Sequence, residues 1–291
     1  MTARSDLFVD LLPSGVLSVK FPYDPFVVEF IRQVPGRRWH KEDKFWSVPA
    51  PALRDLQARA ARVGIGVALG DRVKEAFALG GERRQALQAA KLDDSPLDIP
   101  SPTEAKAYQR AGVRYIQHAL RNFKGALLAD DMGLGKSYQA LAVIARNEGL
   151  QRVLVLCPST LKYVWAGQID EHFPQLGYTI IEGAAARRAE LWEAPGRIKI
   201  ANYELLVPRH ESDCLRSNAA KRRENKGVRC GCGDLSDTAL RLMDWDLVIA
   251  DEITFAKNYA AERTRRMKKL RRRYSLGLSG LPIENRLEEL H

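Results

Sequence analysis

The eleven residues Leu127–Ser137, LLADDMGLGKS, constrain the fold of this chain more than any other stretch. An apolar run ends in a turn containing Gly133 and Gly135, then passes into SYQALAVIARN, whose apolar positions recur at helical spacing. Strand, glycine turn and helix together form the context of a phosphate loop, because successive backbone N–H groups can converge on an anion while the helix N-terminus adds a favourable dipole. On that reading Asp131, Met132, Gly133, Leu134 and Gly135 wrap the phosphates of ATP. Lys136 sits against the β- and γ-phosphates, and Ser137 ligates magnesium. The alternative is a chance Gly-Lys-Ser turn at a strand end. One departure from the general G-x-x-x-x-G-K-[ST] pattern stands out: Asp130 occupies the first glycine position.

A phosphate loop calls for a carboxylate pair on a neighbouring strand, since magnesium must be held from the other side and water oriented for attack. The run DLVIADE supplies Asp251 for the metal and Glu252 as general base. The competing reading of such a pair is a cap on the following helix. Upstream, Gln109 lies 27 residues before Lys136, and its amide can both donate to and accept from an adenine edge. Taken alone, Gln109 would be a solvated glutamine at a helix start.

Around these motifs, GALLAD, RVLVLCP, RIKIANY, DLVIADE and YSLGLSG recur as short apolar runs with helical stretches between most of them. That alternation predicts an α/β fold: a mostly parallel sheet with helices on both faces, spanning residues 104–291. Residues 1–70 read as a separate small α+β module. The runs LFVDLLP and VLSVKFP precede a helix opened by Pro25, followed by an extended RRWHKEDKFWSVP and a helical APALRDLQARAARVG. Between the two lies 71–103, a charged helix and then DDSPLDIPSPTE, whose three prolines and four acids suit an exposed linker. No apolar run reaches membrane-spanning length and the N-terminus lacks a secretory layout, so an intracellular protein without a membrane partner is expected.

The net charge of +10 is concentrated in one place. Lys257 to Arg273 holds nine Lys/Arg against one acid, Glu262, and read as one helix it would present cations on most of its circumference. Arg271, Arg272 and Arg273 are expected to meet DNA phosphates or a partner domain, the alternative being a solvated face. An insertion at about 209–234 carries His210, Cys214, Cys230 and Cys232. Two readings stand for it: a tetrahedral structural zinc site, or free thiols on a solvated loop, the C-x-C pair being a less comfortable chelate than C-x-x-C.

With these residues in place, the chain resembles the Swi/Snf-type ATPases of helicase superfamily 2, whose phosphate loop typically reads D-E-M-G-L-G-K-T where this one reads DDMGLGKS. Asp130 in place of glycine is then expected. In family order across residues 105–290, YQRAGVRY resembles the glutamine motif, VLVLCPSTLKYVW the first DNA-contacting segment and IANYELL the second. DEITFAKN resembles the acidic motif and LSGLPIENRLEEL the coupling motif. The resemblance implies a RecA-like three-layer lobe that uses ATP and Mg2+ and contacts duplex or branched DNA, with Ser159, Lys162, Lys257 and Asn258 near the backbone. It also implies a second RecA-like lobe supplying the arginine finger; because His291 follows the coupling motif directly, that lobe is expected in a longer or separate chain and turnover by this chain alone is expected to be weak. An RNA helicase fits these motifs less well, and an ATP-gated DNA-binding module with little turnover is the alternative to a remodelling or reannealing enzyme. Two departures bear on coupling to DNA movement rather than on hydrolysis: Ile253 and Thr254 where alanine and histidine are usual, and Ser279, Gly280 and Leu281 where threonine, glycine and threonine are usual.

The N-terminal module resembles the small domain preceding the motor in annealing helicases. That likeness places Trp39 and Trp46 for base stacking, with Arg37, Arg38 and Lys44 near phosphates, against the alternative that both tryptophans are core.

Overall fold

The computed structural model describes residues 6–206, 240, 243–253 and 262–280. These divide into two compact units at residues 85 and 86. In the first unit, β1 (Leu7–Leu11), β2 (Val16–Lys20), β3 (Arg38–His40), β4 (Phe45–Pro49) and β5 (Val67–Leu69) form one sheet in the order β3-β4-β2-β1-β5. Alternation along β1 sends Leu7 and Val9 inward, and they pack with Leu17 and Val19 of β2 against Val27 and Ile31 of α1 (Pro25–Arg32) and Leu53 and Leu56 of α2 (Leu53–Arg62). Helix α1 starts where it does because Asp24 accepts a 2.9 Å hydrogen bond from the Phe26 amide and Pro25 is preset for the first turn. The segment 38–49, extended in the sequence reading, folds back on itself as a β3–β4 hairpin with Lys44 at φ 50° in its turn. The short strand β5, which nothing in the sequence singled out, pairs parallel to β1.

The division falls within α3 (Asp71–Leu92). Residues 93–103 are exposed at most positions but are tied to the second unit. Arg114 pairs with the Asp93 carboxylate at 3.0 Å, Arg110 donates to the Asp94 and Ser95 carbonyls, and Gln175 donates to Pro100 O. Leu97 and Ile99 pack on its core.

The second unit is a six-stranded sheet of β6 (Gly125–Leu128), β7 (Val153–Cys157), β8 (Tyr178–Ile180), β9 (Ile198–Asn202), β10 (Trp245–Asp251) and β11 (Arg272–Leu278). Its order is β6-β11-β10-β7-β9-β8 and every paired neighbour is parallel. Parallel strands carry side chains to two covered faces, which is why they read as continuous apolar runs. Val153, Val155, Leu247 and Ile249 face α4 (Ala107–Phe123), α5 (Lys136–Ala145) and α6 (Lys162–His172). Leu154, Leu156, Val248 and Ala250 face Trp192 of α7 (Ala185–Glu193), Tyr203 and Met267 of α8 (Glu262–Lys268). Three layers result, matching the expected RecA-like architecture.

Two expectations are corrected. The phosphate-loop strand β6 and the acidic strand β10 are not neighbours, because β11 lies between them: Leu278 pairs with Leu128 on one side and Asp251 on the other. The cationic run is not one helix. Its described part leaves helix at Lys268 and enters β11 at Arg272, because Leu270 is drawn into the core and the alternation of RRYSLGL takes over. No helix among the described residues is long and apolar enough to cross a membrane.

Candidate functional site

The site sits at the carboxyl ends of β6, β11 and β10, where open α/β sheets bind their ligands. After Leu128 the chain turns through Asp130 to Gly135 and enters α5 at Lys136. Gly133 at φ 82° and Gly135 at φ 70° occupy the left-handed region, which curls the intervening amides into a concave nest that L side chains would strain. At Gly135 a second constraint applies, since a Cβ there would lie 2.5 Å from the Gln109 Nε2. The Lys136 ammonium donates to the carbonyls of Asp130 and Asp131, both at 2.9 Å, and Ser137 lies in the first turn of α5.

Across β11, Asp251 ends β10 with both carboxylate oxygens held. Oδ2 accepts from the Trp165 indole at 2.7 Å and Oδ1 accepts from the Glu252 amide at 2.9 Å. Burial pushes the Asp251 carboxyl above its ordinary range, opposed by the two hydrogen bonds and by the nearby Lys136 charge. Asp251 and the loop that carries Lys136 thus stand at the carboxyl ends of β10 and β6, one strand apart. Tyr203 donates to the Asp251 carbonyl at 2.8 Å. Glu252 follows in the left-handed region at φ 48°, a conformation that costs a non-glycine residue about 1–2 kcal/mol and turns its side chain out of the strand's alternation. Gly280, the third residue of the coupling motif and the last of its described part, packs so close to the loop that a Cβ on it would lie 2.8 Å from Met132 Cγ.

Gln109 opens α4 with its Oε1 accepting from the Lys106 amide at 3.0 Å, while its Nε2 faces Gly135. It is thus a capping residue and a neighbour of the loop at once. A second glutamine, which the sequence reading passed over, braces the loop from behind. Gln139 is fully buried, and its Nε2 donates to Asp130 Oδ2 at 3.1 Å and to Leu134 O at 3.3 Å, tying the two ends of the turn together. Its Oε1 rests against Gly112, where an added Cβ would sit 1.7 Å away. Gly112→Ala would improve helix propensity by about 1 kcal/mol but forces this overlap in a packed interior, which costs about 1–3 kcal/mol or more. The clash is expected to win: thermal unfolding should shift to lower temperature and nucleotide affinity should fall with it.

The remaining predicted residues are spread more widely. Ser159 is exposed in a short 3-10 turn after β7, whereas Lys162 is buried with its ammonium 3.3 Å from the Glu182 carboxylate. Tyr163 also donates to Glu182, and together these partners hold that carboxyl below its usual range. Arg271 pairs with Asp244 at 2.8 Å. Arg272 is turned inward, donating to the carbonyls of Met267, Lys268 and Leu270 at the end of α8. Arg273 is exposed and lies over the Tyr274 ring at 4.9 Å. In the first unit Trp39 is 46% exposed and lies across from Trp46, which packs partly on the core, with ring centroids 5.2 Å apart. Arg37, Arg38 and Lys44 are exposed beside them. Lys257, Asn258, His210, Cys214, Cys230 and Cys232 lie outside the described residues, as does the coupling motif from Leu281 onward. Among the described residues no group of three or more His, Cys, Asp or Glu is placed to hold a metal.

Trp165 and Tyr203 were also missed as site residues. They lie in VLVLCPSTLKYVW and IANYELL, segments whose resemblance points to DNA, and only the fold reveals that each polar tip reaches Asp251.

A family model described as the SNF2-related domain matches residues 108–291. The TATA-binding protein-associated factor mot1 of Schizosaccharomyces pombe is 26% identical over 221 residues, covering 71% of this chain and 10% of that protein. The ATP-dependent helicase fft2 of the same organism is 27% identical over 202 residues, covering 68% of this chain and 14% of that protein. The fold is similar to that of the SWI2/SNF2 ATPase core of Sulfolobus solfataricus in complex with double-stranded DNA, with a TM-score of 0.52, 24% identity, and coverage of 67% of this chain and 36% of that one. The chain thus spans only a small part of the curated relatives it matches.

Proposed function

Because the chain belongs to the SNF2-related domain family, we propose that its second unit is the ATP-binding lobe of a DNA-dependent ATPase of superfamily 2 that remodels or reanneals duplex or branched DNA. The observation that carries this reading is the strand register that sets the glycine turn with Lys136 and the acidic Asp251 at the carboxyl ends of β6 and β10 with only β11 between them, and Glu252 at positive φ directly after Asp251. The amides around Gly133 and Gly135 bind the phosphates, and Lys136 exchanges two loop carbonyls for phosphate oxygens, a gain because the new partners carry charge. The donor set fits magnesium, a hard cation that takes oxygen ligands: the Ser137 hydroxyl and the Asp251 carboxylate would hold it. When bound, magnesium neutralises charge that develops on the phosphate oxygens. Trp165 and the Glu252 amide keep the Asp251 carboxylate oriented. Glu252 orients the attacking water and takes its proton. Gln109 places its amide next to the loop, where it meets the adenine edge.

DNA is the proposed polyanionic partner, met through Ser159 at the end of β7, through Lys257 and Asn258, and in the first unit through Trp39 and Trp46 with Arg37, Arg38 and Lys44. Lys162 joins that set only if it leaves Glu182. Turnover at full rate is proposed to need a second RecA-like lobe that supplies an arginine finger, a contribution worth about 10³–10⁵ in rate in phosphoryl transfer. The test is steady-state ATP hydrolysis with and without duplex DNA, repeated with an added second lobe. DNA-stimulated turnover that rises when the lobe is supplied is the expected result. Tight nucleotide binding with turnover indifferent to both additions would instead assign an ATP-gated DNA-binding module.

A further inference from the structure

At the opposite end of the second unit from the nucleotide loop lies an open cleft of about 820 Å³, bounded by the last turns of α4 and α5 and the first residues of β11. Helix α5 is ten residues long, so at about 1.5 Å per residue the cleft is about 15 Å from Lys136. Arg121, Arg146 and Arg273 all line it. Among the described residues none of the three has an ion-pair partner, although two carboxylates, Asp98 and Glu148, share the lining. Arg146 Nε is buried with no hydrogen-bond partner. The Arg273 guanidinium lies over the Tyr274 ring, and the Lys124 ammonium stands 5.2 Å from the centre of the same ring.

Cations at helix C-termini complement the helix dipole, which accounts for an arginine near the end of α4 and another at the end of α5. It does not account for Arg273, which starts a strand, nor for the convergence of three guanidiniums on one concavity. Three guanidiniums against two carboxylates that pair with none of them leave the concavity with an excess of positive charge, which a bound anion would offset. We propose that this cleft is a second phosphate-binding site, separate from the nucleotide loop, which takes either a free oligophosphate or the phosphodiester backbone of a nucleic acid. Guanidinium forks match phosphate oxygens two at a time, which suits three arginines on one concavity to a phosphate rather than to a lone carboxylate.

The test uses the whole chain with its loop saturated by Mg-ADP. Inorganic tripolyphosphate is titrated calorimetrically, and duplex DNA affinity is measured across a salt series. Arg121→Ala/Arg273→Ala, both exposed, should unfold at the unaltered temperature and bind Mg-ADP normally. A loss of at least about tenfold in tripolyphosphate affinity, with the salt slope unchanged, assigns the site to a free oligophosphate. A salt slope smaller by about one to two units assigns it to the nucleic-acid backbone, each released contact being worth about 0.9. Glu148→Gln supplies a gain that misfolding cannot mimic, since removing a lining carboxylate should tighten whichever ligand binds. If the chain shows neither tripolyphosphate binding beyond Mg-ADP nor any change in salt slope, the arginines merely complement the helix ends and the proposal is overturned.

Discussion

Glu252→Gln is expected to lower ATP turnover by about 10²–10⁴-fold, the usual contribution of a positioned general base, while Mg-ATP affinity stays within a few-fold of the unaltered chain. The side chain keeps its size and its place in the left-handed turn after β10, and the backbone amide that holds Asp251 Oδ1 is untouched. Only the proton-accepting oxygen is lost. Single-turnover hydrolysis together with a nucleotide titration separates the two quantities. Unimpaired hydrolysis in this variant would remove Glu252 from the chemistry, and a parallel loss of binding would make it a structural residue.

Lys136→Ala should act on the other quantity. Its ammonium makes two hydrogen bonds to loop carbonyls, Asp130 O and Asp131 O, and in the liganded site makes the stronger charge-assisted bonds to phosphate instead. At about 1.5–3 kcal/mol for each such bond, losing two lowers Mg-ATP affinity by at least about 100-fold. The fold should survive, because Lys136 is partly exposed and the turn is still braced by Gln139. Calorimetric titration of Mg-ATP, set beside circular dichroism of the same sample, checks both halves of that expectation.

The loop and the acidic pair were legible in the sequence because each is a local event. A strand that must end, glycines that must take positive φ, and a helix that must begin leave their mark within eleven residues. The order of strands leaves no such mark, since parallel neighbours are joined through long crossovers and any of several orders satisfies the same apolar pattern. Hence β11 came between β6 and β10 unannounced. The run of arginines misled for a related reason. Charge read along the chain suggests a solvated helix, yet Arg272 is bent inward to satisfy three carbonyls at the end of α8, a use that depends on where the helix stops. Gln139 was invisible because an amide in a helix reads as surface, and Gly112, the gap that admits it, lies on a different helix. In the first unit the alternative that both tryptophans are core fails for Trp39, whose ring is half exposed, while Trp46 leans on the core.

Determination of the crystal structure of this chain with magnesium and a non-hydrolysable ATP analogue would put the account to its sharpest trial. The expected density has the γ-phosphate against the Lys136 ammonium, a metal shared between the Ser137 hydroxyl and the Asp251 carboxylate, and Glu252 facing the terminal phosphate. Nucleotide bound anywhere else at saturating concentration, or a metal that leaves Asp251 out of its coordination and hydration shells, would contradict it.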